Sequence, residues 1–301
     1  MIRSTDSVLV IGEALIDIVT QAGRPSEEHV GGSPANVALG LGRLGIAVRL
    51  RTALGRDERG ARVARHLAAS GVEIEKESYV LDHTSTAIAT ISPEGSARYE
   101  FDIHWQITTP IELGDARVVH VGSIGCFIEP GGTQVREAIQ GFAGRARVTF
   151  DPNIRPALLG DHAAVLRVTE EIAAVCDVVK LSDEDAAWLY PGIAVDEVID
   201  RMLAVGARVV AVTLGSEGAV IASPDARVTV PPRRVQAEDT VGAGDTFMAA
   251  IVAALAEGRL GADAESLRAA VTTAAVAASI TVSRRGADLP TRAELGDVAQ
   301  T

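Results

Sequence analysis

The sequence predicts an α/β fold, a mostly parallel central sheet with helices on both faces, together with a small separate β-sheet that serves as a lid. Three observations lead there. Short β-branched apolar runs recur along the 301 residues, segments with apolar residues at three- and four-residue intervals separate most of them, and two stretches break that rhythm. In order, residues 8–11 form a compact apolar run followed directly by Gly12, which suits a buried strand ending at a functional edge. The runs at 48–52, 118–121, 148–151, 175–180 and 209–213 repeat it. Helices are expected at 36–44, 59–69, 163–174, 195–205 and 248–256. Alternation of the two kinds of segment is what a parallel sheet with crossover helices requires. The exceptions are 15–30 and 84–107. In the second, extended runs at 86–91 and 97–103 flank a Pro93, Glu94, Gly95 turn and read as a hairpin. A lid built from these two stretches would exclude water from the mouth of the main sheet. With no repeat and no linker, residues 1–301 read as one domain.

A 47% share of hydrophobic residues, 29 glycines and evenly spread charge argue against disorder and coiled coil. The formal net charge of -12 gives no attraction to nucleic-acid backbones or anionic lipid, so neither is expected as a partner. A nucleotide can still be held locally, by backbone amides, arginines and a metal ion. Cys126 and Cys176 lie in apolar surroundings without metal-ligand spacing and read as reduced core residues. The N-terminal apolar run is broken at Glu13 and Asp17, and the apolar stretch 269–282 is shorter than the ~20 residues a bilayer span needs. A cytoplasmic protein is expected.

The strongest chemical signal is DTVGAGDTF at 239–247, ahead of a helical run. Gly242, Ala243 and Gly244 let an anion approach the backbone, and first-turn amides aim the positive end of the helix dipole at it. Asp245, in the same turn, is placed to accept the proton of an attacking hydroxyl. A lone Gly-x-Gly before a helix is more often a plain loop, whereas a nine-residue pattern is much harder to explain that way. A second Gly-rich helix entry, GGSPANVA at 31–38, carries Asn36, a donor and acceptor suited to vicinal hydroxyls. Asp17 follows the first strand closely, although an isolated Asp there is more often a solvated turn residue. Arg155, at a strand end, is a fixed cation able to neutralise phosphoryl charge, against the bland alternative of a surface arginine. Only Lys76 and Lys180 are present and neither follows a Gly-x-x-x-x-Gly loop, which sets a P-loop kinase aside. The turn after the first strand lacks Gly-x-Gly-x-x-Gly, which disfavours a nicotinamide-binding domain.

These segments, with LGRDERG at 54–60, DPNIR at 151–155, KLSDED at 180–185, TLGSEG at 213–218 and RGA at 285–287, resemble the ribokinase family, the PfkB-type carbohydrate kinases, over nearly the whole chain. The resemblance implies a ribokinase-like fold and an ATP-dependent transfer of the γ-phosphoryl group to a sugar hydroxyl. It implies Asp245 as base, Gly242, Ala243 and Gly244 as anion hole, and Asp17, Gly32 and Asn36 as sugar contacts. Ser182, Thr213, Gly215 and Gly218 fall on nucleotide segments. Where the family usually has Asn-x-x-Glu organising Mg²⁺ through water, this chain has Ser182 and Asp185, so Asp185 or Glu184 takes that role. A monovalent cation, K⁺, is implied near Asp239. GEALID at 12–17 and DPNIRP at 151–156 look most like fructokinases, so fructose is the expected substrate and fructose 6-phosphate the product. Ribose, 2-keto-3-deoxygluconate or another small sugar is the alternative, and a catalytically silent sugar- or nucleotide-binding protein ranks lower. Arg98, Tyr99, Phe101 and Trp105 are candidate lid contacts, and a homodimer through the lid sheet is a candidate assembly.

Overall fold

Successive residues of the central strands enter opposite faces of the sheet, and both faces are buried, which is why these strands read as unbroken apolar runs. The computed structural model describes residues 6–21, 23–92, 97–233 and 235–298. Its first part contains β1 (Val8–Ile11), β2 (Leu15–Gln21), β3 (Glu27–Gly31), α1 (Ser33–Arg43), β4 (Val48–Arg51), β5 (Leu54–Gly55), α2 (Glu58–Ala68), β6 (Val72–Ile74), β7 (Tyr79–Leu81), β8 (Thr86–Ile91) and β9 (Ala97–Asp102). Next come β10 (Val118–Gly122), α3 (Gly131–Phe142), β11 (Arg147–Asp151), α4 (His162–Ala173), β12 (Val178–Ser182), α5 (Asp183–Leu189), α6 (Val195–Val205) and β13 (Val209–Thr213). The last part holds β14 (Ala219–Ala222), β15 (Arg227–Val230), α7 (Ala243–Ala256), α8 (Ala264–Val282) and α9 (Arg292–Val298).

Nine strands form the central sheet in the order β15-β14-β13-β12-β11-β10-β1-β4-β6. From β6 to β13 the neighbours are parallel, and the hairpin of β14 and β15 closes one edge antiparallel. Val8, Val10, Val48, Leu50, Val118 and Ala211 join one core with α1, α7 and α8, while Leu9, Ile11, Val121, Phe150, Leu181 and Val212 join the other with α3, α4 and α6. From Phe247 to Ala256 every residue of α7 is buried, as expected of a helix enclosed on all sides. The helix that carries Asp245 is thus the one held most completely by its neighbours.

A second sheet, β3-β2-β8-β9, stands apart from the first. It is built from both expected stretches, but β2 and β8 pair parallel, so it joins two hairpin-like pairs instead of forming one hairpin. The Pro93, Glu94, Gly95 turn lies outside the described residues. Asp57 ties the approach to β8 onto α2: its carboxylate caps the helix at the Gly60 amide (2.7 Å) and accepts from the Thr84 amide (2.8 Å) and hydroxyl (2.6 Å).

Boundaries moved for local reasons. The strand expected at 175–180 begins at Val178, because the Val175 and Cys176 amides still bond back to Ile172 and Ala173 at the end of α4. The first helix begins at Ser33, three residues earlier than its periodicity suggests, with Pro34 in its first turn. Both cysteines are buried and free, and among the described residues no helix is long and apolar enough to cross a membrane.

Candidate active site

All the strands from β1 to β13 in the parallel part end on one side, and a cleft of about 1160 Å³ opens there beneath the lid. Asp17, Gly32, Asn36 and Arg155 line it together with Phe101 and Ile103 of the lid side. Ser182, Glu184, Asp185, Thr213, Gly215 and Gly218 line the part beyond, and Gly242, Ala243, Gly244 and Asp245 lie between. Fifteen residues singled out from sequence, Phe101 among them, therefore share one cavity. Asp239 is not among the lining residues.

Asp245 sits in the first turn of α7 and is almost fully buried. Its two oxygens are held separately: Ser33 Oγ donates to Oδ1 at 2.6 Å and Asn36 Nδ2 donates to Oδ2 at 2.7 Å. Both donors come from the first turn of α1, so the two Gly-rich helix entries meet at this carboxylate. A carboxylate oxygen can accept more than one hydrogen bond, which leaves capacity for a substrate hydroxyl. Gly242 caps α7 with φ 76°, and a Cβ there would lie 2.7 Å from the Ala287 side chain. The turn that presents the amides thus requires glycine sterically as well as conformationally. The Ala243 amide already donates to Thr240 O, at a long 3.3 Å, so an incoming anion competes for it.

Three residues that the structure brings to the site were not singled out from sequence. Ser33 is one. Glu13 directly follows the β1 edge, fully buried, with Oε2 accepting from the Gly125 amide at 3.0 Å. Burial pushes its carboxyl up to about 7, and the Asp245 charge adds to this. Lys180 is the third. Its ammonium forms a buried ion pair with Asp151 Oδ2 at 2.9 Å, and a Cβ placed on Gly244 would lie 3.1 Å from Nζ. Burial opposes the charged form, but Asp151, Asp185 and Asp245 together hold Lys180 above its ordinary value. A fixed cation therefore stands against the Gly242–Gly244 turn. A lysine inside an otherwise apolar strand, in a chain with two lysines, is the signal that could have found it.

Several expected residues carry additional structural duties. Asp185 Oδ1 accepts from the Ile154 amide (2.7 Å) and Oδ2 from the Ser182 amide (2.8 Å), while Ser182 Oγ accepts from the Asp185 amide (3.0 Å). This capping box joins the loop after β11 to α5 and leaves only the remaining lone pairs of Asp185 for a hydrated ion. Asp239 accepts from the Val241 amide (3.0 Å) and the Gly286 amide (2.9 Å), linking the loop before α7 to the 285–287 turn. Burial raises the Asp17 carboxyl, with His29 and Arg155 acting against it. Of the candidate lid contacts, Phe101 faces the cleft, Trp105 is buried with Nε1 donating to Gly125 O at 2.8 Å, and Arg98 and Tyr99 are exposed and do not line the cavity.

The side of the cleft bounded by α8 offers an apolar wall, Ala275, Ala278 and Val282 with Val235 and Ala237. Carboxylates, a buried ammonium and glycine-turn amides occupy the centre.

Comparison with known proteins identifies the family and the fold. Residues 5–294 match the pattern of the pfkB family carbohydrate kinases. A fructokinase of Rhizobium leguminosarum bv. trifolii is 35% identical over 259 residues, 82% of this chain and 79% of its own. The crystal structure of a fructokinase from Xylella fastidiosa with bound ATP superposes with a TM-score of 0.83 at 25% identity, covering 99% of both chains. A fructokinase from Vibrio cholerae O395, a double mutant with fructose, ADP and potassium bound, has the same fold at TM-score 0.83 and 24% identity, covering 98% of this chain and 99% of its own.

Proposed function

This chain belongs to the pfkB family of carbohydrate kinases, and we propose that it transfers the γ-phosphoryl group of ATP to the 6-hydroxyl of fructose. The observation that carries the reading is the Asp245 carboxylate, fixed by Ser33 and Asn36 at the N-terminus of α7 where two glycines open the turn. Fructose is favoured by the 35% identity to a fructokinase and by the GEALID and DPNIRP segments.

In this mechanism the sugar lies toward Asp17, Gly32 and Asn36 under Phe101, and ATP lies along Ser182, Thr213, Gly215, Gly218 and the α8 wall. Asp245 takes the proton as the hydroxyl oxygen attacks the γ-phosphorus, and ADP leaves on the opposite side. Gly244 and its neighbours, with Lys180 against them and Arg155 elsewhere in the cleft lining, bear the negative charge that spreads over the transferred group. The oxygen-only donors Glu184 and Asp185 fit a hard cation held through water, and Mg²⁺ bound there would neutralise the ATP phosphates. A K⁺ site beside Asp239 is part of the proposal, with the carboxylate shaping the loop through its two amide bonds. The two unpaired cysteines support a reducing, cytoplasmic setting. We also propose that the lid sheet pairs with a second copy, since Tyr99 and Phe101 stack on its exposed edge strand β9.

One observation favours a second reading. Burial raises the Asp17 carboxyl and Arg155 lies close enough to oppose that rise, and a cation at the sugar end would suit a sugar acid such as 2-keto-3-deoxygluconate. A coupled ADP-release assay with Mg²⁺-ATP and fructose, ribose, 2-keto-3-deoxygluconate and adenosine separates the readings by kcat/KM. Fructose should lead. A lead for another sugar keeps the kinase and replaces its substrate, and ligand-induced stabilisation without turnover by any of them would favour a binding protein.

A further inference from the structure

Outside the cleft, one group of side chains has the composition of a transition-metal site. His83 Nε2 lies 3.0 Å from Asp102 Oδ2, and His104 Nε2 lies 2.9 Å from Asp102 Oδ1. The three ligand atoms all fall within 4.8 Å of one another, and the two rings meet edge to face with centroids 5.0 Å apart. Each side chain is about half exposed, so an ion can reach it from solvent.

The backbone beneath is held in place. His83 leads into β8, Asp102 ends β9 opposite Thr86, and His104 follows two residues on. Ser85 Oγ accepts from the His104 amide at 3.0 Å and donates to its carbonyl at 3.2 Å, clamping the entrance of one strand to the exit of the other. Thr84 is fixed to Asp57 on α2. Side chains alternate along an extended chain, and since Phe101 and Ile103 line the cleft, Asp102 and His104 stand on its reverse side.

We propose that His83, Asp102 and His104 bind a zinc ion on the outer side of the lid, clasping the two ends of the β8–β9 pair. Two imidazoles and a carboxylate supply three of the four tetrahedral positions at about 2.0–2.2 Å, with water in the fourth. Such ligands sit about 3.4 Å apart in a tetrahedron, against separations of up to 4.8 Å here, so zinc would draw in both half-exposed rings as well as the Asp102 carboxylate that now bridges them. Two neutral imidazoles and one carboxylate carry a single negative charge, which complements a dication. Mg²⁺ prefers oxygen donors and octahedral geometry, so it does not compete well for this set. The site does not depend on the kinase reading.

The test uses untagged, chelator-washed full-length chain, titrated calorimetrically with Zn²⁺ in millimolar Mg²⁺ so that oxygen-rich sites are already occupied. One ion per chain is expected, with a rise in Tm. His83→Ala and His104→Ala should each weaken binding at least about tenfold, as loss of a coordinating residue does, while kcat for the sugar is unchanged. Both variants are surface changes, and their zinc-free Tm verifies folding. No heat of binding, or binding indifferent to both substitutions, overturns the site.

Discussion

At the level of single residues, the chemistry is concentrated in buried ionisable groups that a folded chain tolerates only for a reason. Asp245→Asn keeps the shape and both neighbours but removes the base, so kcat should fall by roughly 10²-fold to 10⁴-fold with ATP binding largely kept. Single-turnover phosphoryl transfer measures it, and near-normal turnover would remove Asp245 from that role. Lys180→Met leaves Asp151 as an unpaired buried carboxylate beside the anion turn. The variant should lose a few kcal/mol of stability, as broken buried pairs do, and its kcat should fall more than its KM for the sugar rises. The double variant Lys180→Met with Asp151→Leu should regain stability without regaining kcat, which separates the charge from the packing. Glu13 supplies a pH signature. Burial raises its carboxyl from 4.5 to about 7, so the folded chain holds that proton more tightly than the unfolded chain does. Stability from this group is full below 4.5 and is lost as pH rises through about 7. Glu13→Gln cannot ionise, so relative to wild type it should gain up to about 3 kcal/mol between pH 4.5 and pH 8. Urea unfolding at both pH values reads the difference, and parallel pH slopes would show that the Glu13 charge is accommodated at no cost.

At the level of elements, function depends on two helix entries arriving at the same point. The N-terminus of α7 faces the first turn of α1, and Gly242 at φ 76° with Ala287 against it leaves no room for a side chain. Gly242→Ala should lower stability by about 1–3 kcal/mol and lower kcat by displacing the amides that face the phosphoryl group. Circular dichroism melting and turnover measured together check this. Asp57 is the corresponding anchor for the second sheet, since one carboxylate caps α2 and holds Thr84 ahead of β8. Asp57→Ala should cost about 1–2 kcal/mol and raise KM for the sugar more than it lowers kcat, because the lid loses its anchor while Asp245 keeps its donors. These elements were only partly legible. The Gly-rich starts of α1 and α7 stand out in sequence because few other residues fit such turns. The pairing of β2 with β8 does not, because partners 70 residues apart leave no local period.

At the level of the whole molecule, the lid has an exposed edge at β9 where Tyr99 and Phe101 stack 6.1 Å apart. Light scattering during gel filtration should give twice the chain mass of 31.3 kDa, and Tyr99→Lys with Phe101→Lys should return it to the monomer. A monomer for the unaltered chain would leave that edge to the lid alone. The sequence by itself determined the fold class, since alternating apolar runs and amphipathic segments have only one economical way of burying both sheet faces. It also singled out the candidates for anion turn and base, because glycines before a helix and an acid inside it leave a local imprint. Only the tertiary structure decided which donors hold Asp245, that Lys180 stands against Gly244, and that Asp185 and Asp239 serve backbone amides. Those relations join residues up to 212 positions apart, and their energies come from burial and distance, which exist only once the chain has closed on itself.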